Sequence, residues 1–301
     1  MPQPRRQQRR GAGEAAPRRA PRRAPRGSAG GGGRRGGGRG GSDLGNRVLV
    51  AIPALAVALT MVALGGTVFA VGIGVIGLIC LHELFSMFER ARPARLAGFA
   101  GYVGLLVAAS LGDRETILLA FMACIPLVFV VAVNQRGGAG APGISVTILG
   151  LAWVGLAFAH AILLRDLDHG GALVFAVLLG TFVGDTGAYL GGRAFGQRKL
   201  APTISPNKTI EGLAIGVVIG TAAVWWAGLS QEWLGGEKGA ILGVSIALAA
   251  PVGDLFESYL KRDAGTKDTG TLFGAHGGAL DRLDAVLFTA VTGYYVWLAL
   301  T

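Results

Sequence analysis

From residue 47 onward the chain alternates long apolar runs with polar breaks, and the length of the runs sets the first expectation. A helix needs about 20 predominantly apolar residues to cross the hydrocarbon core of a bilayer. Nine runs fit: 47–64, 67–87, 96–112, 115–133, 144–164, 170–190, 210–229, 239–258 and 285–300. The break between the first two is little more than Gly65-Gly66, which predicts a tight hairpin or a partly re-entrant pair. Two breaks are long and polar, 191–209 and 259–284. The predicted fold class is all-α: a polytopic integral membrane protein of about nine transmembrane helices with a cytoplasm-facing active site. A first run this long, followed by many like it, reads as an uncleaved helix rather than a signal peptide.

Orientation follows from the basic residues, which favour cytoplasmic loops. With the N-terminus inside, the inner loops carry Arg90, Arg92, Arg95, Arg136, Arg193, Arg198, Lys199, Lys208, Lys261, Arg262, Lys267 and Arg282. The outer loops carry only Arg114, Arg165 and Lys238. This predicts a multi-pass protein of the cell (inner or plasma) membrane, N-terminus cytoplasmic and C-terminus outside, with both long polar breaks in the cytoplasm.

Composition agrees. Of 301 residues 51% are hydrophobic and only 15% charged, where a soluble domain is nearer a quarter charged. The 51 glycines suit close helix approach within a bilayer. The net charge of +10 is local: residues 1–47 hold thirteen arginines against Glu14 and Asp43. Three parts result: a disordered Arg/Gly/Pro-rich cytoplasmic tail over 1–46, N-terminal transmembrane helices over 47–164, and a catalytic transmembrane domain over 165–301. The tail has too little aliphatic bulk to bury a core. It reads as a topological anchor, or as an attachment to anionic membrane lipids at ~1 kcal/mol per basic residue near the surface. It lacks the interleaved aromatics that stack on bases, so no nucleic-acid partner is expected. Cys80 and Cys124 have no metal-like spacing.

The candidate chemistry lies in the long polar breaks. Asp254, Glu257, Ser258 and Lys261 are spaced i, i+3, i+4, i+7 on one helical face. A carboxylate within a span costs roughly 2.5–3.5 kcal/mol on insertion scales, so Asp254 needs a partner: Lys261, Arg262 or a watery cavity. Asp281 and Asp284 open the last span, where a helix dipole alone favours them. Together the three aspartates, Asp254, Asp281 and Asp284, make a better site for Mg²⁺ than for Zn²⁺, because Mg²⁺ takes carboxylates, waters and substrate phosphates. Between them stand Lys261, Arg262, Lys267 and His276 among glycines, a composition suited to polyphosphate. His276 reads as a phosphate or loop hydrogen-bond donor more readily than as a metal ligand. Upstream, Asp185 lies within a span one turn before Tyr189, and Thr209 reads as a helix cap with Lys208 beside it. No GxxxxGK[ST] loop, GxSxG elbow or HExxH pair is present.

The run S258-x-L-K-R-x(4)-K-D-x-G-x-x-F-G-x-H-G-G-x-x-D-R-x-D284 resembles the signature of the phosphatidate cytidylyltransferases, with Gly274 where many members have proline. The run D185-x-x-A-Y189 and the block S205-P-x-K-T-x-E-G212 resemble the family's upstream segment, with Asn207 in place of a commoner lysine. Glu83 in "LHELF" is a further candidate match. The resemblance implies that CTP and phosphatidic acid give CDP-diacylglycerol and pyrophosphate, with Mg²⁺ and, in some members, a monovalent cation. It implies catalytic roles for Asp254, Asp281, Lys261 and Lys267, with metal at Asp254, Asp281 and Asp284. Substrate contacts would come from Asp185, Tyr189, Ser205, Lys208, Ser258, Arg262, Asp268, His276 and Arg282, and homodimer formation is left open. Two rivals stand beside it: a CTP-dependent lipid-alcohol kinase, and an ion-coupled transporter using Glu83, Asp185 and Asp254. The full HGGxxDRxD ending argues against the first, and the gathering of charge at one face against the second.

Overall fold

The computed structural model describes residues 56–135, 140–270 and 277–301. The basic N-terminal segment, the start of the first expected span, Arg136, Gly274 and His276 lie outside the described residues. Residues 56–64 are helical and turn at Gly65 into α1 (Gly66–Met87), so the two-glycine break is a tight turn. Both glycines have left-handed φ, 62° and 50°, a region that costs glycine nothing. Arg165 braces this turn by donating its Nε–H to the Val62 carbonyl at 2.8 Å.

A 3₁₀ turn, Glu89–Ala91, leads into α2 (Arg95–Leu111), α3 (Arg114–Asn134), α4 (Gly140–Asp166), α5 (Gly170–Phe195), α6 (Ile210–Leu229), α7 (Gly236–Asp263) and α8 (Leu280–Leu300). Helix α4 contains a π segment at Leu151–Gly155. Among the described residues seven helices are long and apolar enough to cross a membrane, all of these except the 17-residue α2. The protein is an all-α, polytopic membrane protein. Every expected run from residue 67 onward corresponds to a helix, but α5, α7 and α8 extend past their apolar stretches into the polar breaks. As a result Lys261, Asp281 and Asp284 sit on helix ends rather than on loops.

One short piece departs from the expected pattern. Residues read as a connecting loop form an antiparallel hairpin, β1 (Lys199–Ala201) and β2 (Ser205–Thr209), with Lys199 opposite Thr209 and Ala201 opposite Ser205. Pro206 inside β2 removes a ladder donor, so this segment carried no strand signal. The hairpin is tied to α6 instead: Glu211 accepts the backbone N–H groups of Gln197 and Arg198 at 3.0 and 3.1 Å. Thr209 caps α6 as expected, accepting from Gly212 N at 3.1 Å.

Helix α5 lies hard against α6, where small residues let the backbones meet. A Cβ on Gly220 would stand 2.9 Å from the Gly180 carbonyl oxygen and 3.2 Å from the Gly184 Cα. The interior is filled by Leu81, Leu84, Phe85, Tyr102, Leu105, Leu151, Leu164, Leu173, Leu242 and Ile246. The Tyr102 hydroxyl has its partner there, donating to the Ile73 carbonyl at 2.7 Å. Outward faces stay apolar, as with Leu118, Leu119, Phe129 and Val133 on α3, which suits contact with lipid tails rather than water. The two ends differ. At one, His169 stacks on Trp233, whose ring meets Trp297 edge-on. At the other, the ends of α1, α5 and α7, the hairpin and the start of α8 bring the ionisable groups together.

Candidate active site

Two clusters form at this polar end. The first lines a cavity of about 590 Å³ between α5, the hairpin, α6 and α7. Asp185 and Tyr189 of α5, Ser205 and Lys208 of β2 and Asp254 of α7 all face it, over a wall that includes Gly216, Val217, Ala247 and Ala250. The polar side is drawn together by an ion pair, Lys208 Nζ to Asp254 Oδ2 at 2.5 Å. Ser258, one turn along α7, donates its hydroxyl to Asp254 Oδ1 at 3.3 Å.

The partner of Asp254 differs from the sequence expectation of Lys261 or Arg262. An i, i+7 separation is two turns, about 10.5 Å along the helix axis, too far for Lys261 to be the preferred partner. Lys208 instead enters sideways from the hairpin. Arg262 turns toward the same hairpin, its Nε–H donated to the Ile204 carbonyl at 3.3 Å.

The second cluster is more deeply buried. Lys261 donates to Glu257 Oε2 at 2.6 Å and to Asp281 Oδ1 at 2.8 Å, and the three side chains are 13%, 1% and 8% exposed. Asp281 Oδ2 accepts two backbone donors, Gly278 N at 2.7 Å and Thr269 N at 3.0 Å. Glu257 therefore uses one oxygen on Lys261, while its buried Oε1 has no hydrogen-bond partner. The Asp284 carboxyl is buried as well, and it and Glu257 act on each other electrostatically. Asp284 Oδ1 accepts Ala285 N at 2.8 Å. Asp254 acts electrostatically on both Asp185 and Asp284.

The expected metal trio is thus split: Asp254 pairs with Lys208 and Asp281 with Lys261, while the buried Asp284 accepts Ala285 N. Among the described residues no three His, Cys, Asp or Glu side chains gather closely enough to hold a metal unaided. The donor set still suits a hard cation. Mg²⁺ takes one or two carboxylates and completes its shell with water and substrate phosphate, and the orphaned Glu257 Oε1 beside Asp284 is an oxygen donor with no proton to accept from the protein.

Lys267 and Asp268 are exposed on the loop after α7, and Arg282 is exposed on α8. His276 lies outside the described residues. Sequence reasoning placed Glu257 on the right face of α7 but left it out of the site, although its i+4 spacing to Lys261 was the available signal. It named Glu83 as a candidate match to the family pattern but gave it no place in the site. That carboxylate, on α1, accepts Leu280 N at 2.9 Å and Ala279 N at 3.1 Å at the start of α8.

A model of the cytidylyltransferase family matches residues 45–300. A phosphatidate cytidylyltransferase of Mycobacterium bovis is 38% identical over 173 residues, 55% of this chain and 55% of the relative. One from Helicobacter pylori is 42% identical over 124 residues, 41% of this chain and 46% of the relative. One from Bacillus subtilis is 36% identical over 146 residues, 48% of this chain and 54% of the relative. The chain spans about half the length of the curated relatives it matches.

Proposed function

Because the chain belongs to the cytidylyltransferase family, we propose that it transfers the cytidylyl group of CTP to phosphatidate, giving CDP-diacylglycerol and pyrophosphate for phospholipid synthesis. The observation that carries this reading is the cavity in which Lys208 and Asp254, delivered by different segments, meet opposite an apolar wall. Such a space accepts a nucleotide triphosphate at its charged side and the chains of a lipid at the other. The names of the matched relatives point the same way.

In the proposed reaction a phosphate oxygen of phosphatidate attacks the α-phosphorus of CTP, and the bond from that phosphorus to the bridging oxygen of the β-phosphate breaks. Pyrophosphate leaves with the electron pair. The second pKa of a phosphate monoester is near 6, so the nucleophile arrives mostly ionised and needs no side-chain base. The protein's work is then positioning and charge stabilisation. Lys208 pairs with a phosphate once it parts from Asp254, and Ser205 and Arg262 lie on the same side. Lys261, fixed between Glu257 and Asp281, holds its charge at the back of the site. Mg²⁺ would be held by Asp254 or Asp284, with its shell completed by water and the triphosphate, and would supply positive charge there. Asp281, whose oxygens are engaged by Lys261, Gly278 and Thr269, orders this end of the site. The polar end is read as cytoplasmic, where CTP is available, with the C-terminus on the far side and anionic lipids as partners of the basic tail.

CTP labelled at the α-phosphate, given with phosphatidate to the purified protein, should place label in lipid, while γ-label should leave as pyrophosphate. Lipid labelled only from the γ position would make the protein a kinase and overturn the reading.

A further inference from the structure

The last helix begins without a cap of its own. Ala279 holds the N-cap position of α8 and has no side chain that can accept the first N–H groups. Those orphan donors must be satisfied when buried, and here they are satisfied from a distant part of the chain. Glu83, near the end of α1 and only 6% exposed, accepts Ala279 N at 3.1 Å through Oε1 and Leu280 N at 2.9 Å through Oε2. Thr269 adds its hydroxyl to Oε2 at 3.4 Å. The carboxylate meets the dipole of α8 at its positive end, where negative charge is favoured.

The fit around this carboxylate is close on two sides. A Cβ on Gly270 would lie 2.5 Å from Glu83 Oε1, and a Cβ on Gly278 would collide with Glu83 Oε2. The loop residues that pack on Glu83 also hold the site: Thr269 N and Gly278 N are the two backbone donors to Asp281 Oδ2. Asp281 in turn fixes Lys261. One chain of contacts therefore runs from Glu83 through Thr269 and Gly278 to Asp281 and Lys261.

We infer that Glu83 is a positioning residue for the reaction, a carboxylate from the N-terminal half that caps α8 in trans and sets the Asp281–Lys261 pair. The inference rests on the reading of the site given above. It also gives α1 a part in the catalytic machinery beyond membrane anchorage. Partners lying one contact behind the reacting groups, when removed, typically cost about 10–100-fold in activity or metal affinity.

Three variants test it, each assayed for CDP-lipid formation over a matrix of CTP and Mg²⁺ concentrations, with thermal stability measured in the same detergent. Glu83→Gln keeps the shape but turns one acceptor into a donor facing N–H groups. Glu83→Asp keeps the charge but withdraws it. Gly278→Ala leaves Glu83 intact and pushes the loop from the other side. The expected result is a kcat lowered about 10–100-fold in folded protein, with KM for CTP nearly unchanged and a raised Mg²⁺ requirement. The double variant Glu83→Gln with Gly278→Ala should be little worse than either alone, because both break one contact. Wild-type kcat and Mg²⁺ dependence in any folded variant would overturn the inference. So would activity that falls only in step with the folded fraction. A wild-type protein that forms no CDP-lipid would instead overturn the proposed reaction, a separate outcome that the same assay reads.

Discussion

Lys208 Nζ lies 2.5 Å from Asp254 Oδ2, so strand β2 of the hairpin and the polar end of α7 are joined across the cavity by an ion pair. Both side chains keep some exposure to the cavity, 25% and 36%. Pairs this accessible contribute only about 0–1 kcal/mol. The contact therefore orients two groups without locking them, and under the proposed reaction a triphosphate would take Lys208 from Asp254 at small cost.

Lys208→Met should accordingly fold with little change in thermal stability yet lose turnover by roughly 10²–10³-fold, the usual effect of deleting a group that meets developing charge. Asp254→Asn should do the same. A thermal melt paired with the labelled-CTP assay checks both. Near-normal turnover in Lys208→Met would remove it from the site.

Lys261 should behave differently because its surroundings are closed. It stands between Glu257 and Asp281 with 13% of its side chain exposed. Removing one member of a buried charge cluster leaves the others uncompensated, at about 3–5 kcal/mol. Lys261→Met is expected to lower the melting temperature sharply, while Lys208→Met does not. Equal melting temperatures would mean that water reaches the Lys261 cluster.

The contrast between these lysines also marks what the sequence could convey. Apolar run lengths located every helix from residue 67 onward, because a bilayer imposes a minimum length and tolerates few charges within it. The i, i+3, i+4, i+7 face of α7 was legible for the same geometric reason, and it correctly joined Ser258 to Asp254. Which carboxylate met which lysine was not legible, since Lys208 and Asp254 are brought together by the hairpin rather than by helical spacing. The hairpin was hidden by its prolines and by the absence of alternation. Glu83 was legible only as a candidate match to a family pattern: one carboxylate in an apolar run says nothing about a helix start nearly two hundred residues later, and only packing of α1 beside α8 makes it a cap.

Packing between α5 and α6 gives a prediction about stability alone. Gly220 faces the Gly180 carbonyl and the Gly184 Cα with no room for a side chain. Gly220→Val forces the helices apart, and overpacking of this kind typically costs about 1–3 kcal/mol. Melting in detergent should fall accordingly, and activity should follow through displacement of Asp185, which α5 carries into the cavity. A Gly220→Val protein as stable as wild type would show that α5 and α6 can separate freely.

The orphaned Glu257 Oε1 distinguishes two accounts of the carboxylates at the back of the site. If Glu257 and Asp284 share a proton, Glu257→Gln supplies the missing donor permanently, so the variant should be at least as stable as wild type and fully active. If they hold Mg²⁺ during turnover, the same substitution removes an anionic oxygen from the cation, and the Mg²⁺ concentration for half-maximal rate should rise about 10–100-fold. The second outcome is expected, because Asp254 acts electrostatically on Asp284 and a bound cation would offset the carboxylates at this end of the protein. Asp281→Asn serves as the comparison. Its carboxylate is spent on Lys261, Gly278 and Thr269, so the loss of charge there should lower kcat through a displaced Lys261 as well as through any change at the cation. Titration of both variants with Mg²⁺ at saturating CTP separates the two effects. A Glu257→Gln enzyme with wild-type Mg²⁺ dependence would return Glu257 to a purely structural, proton-sharing role.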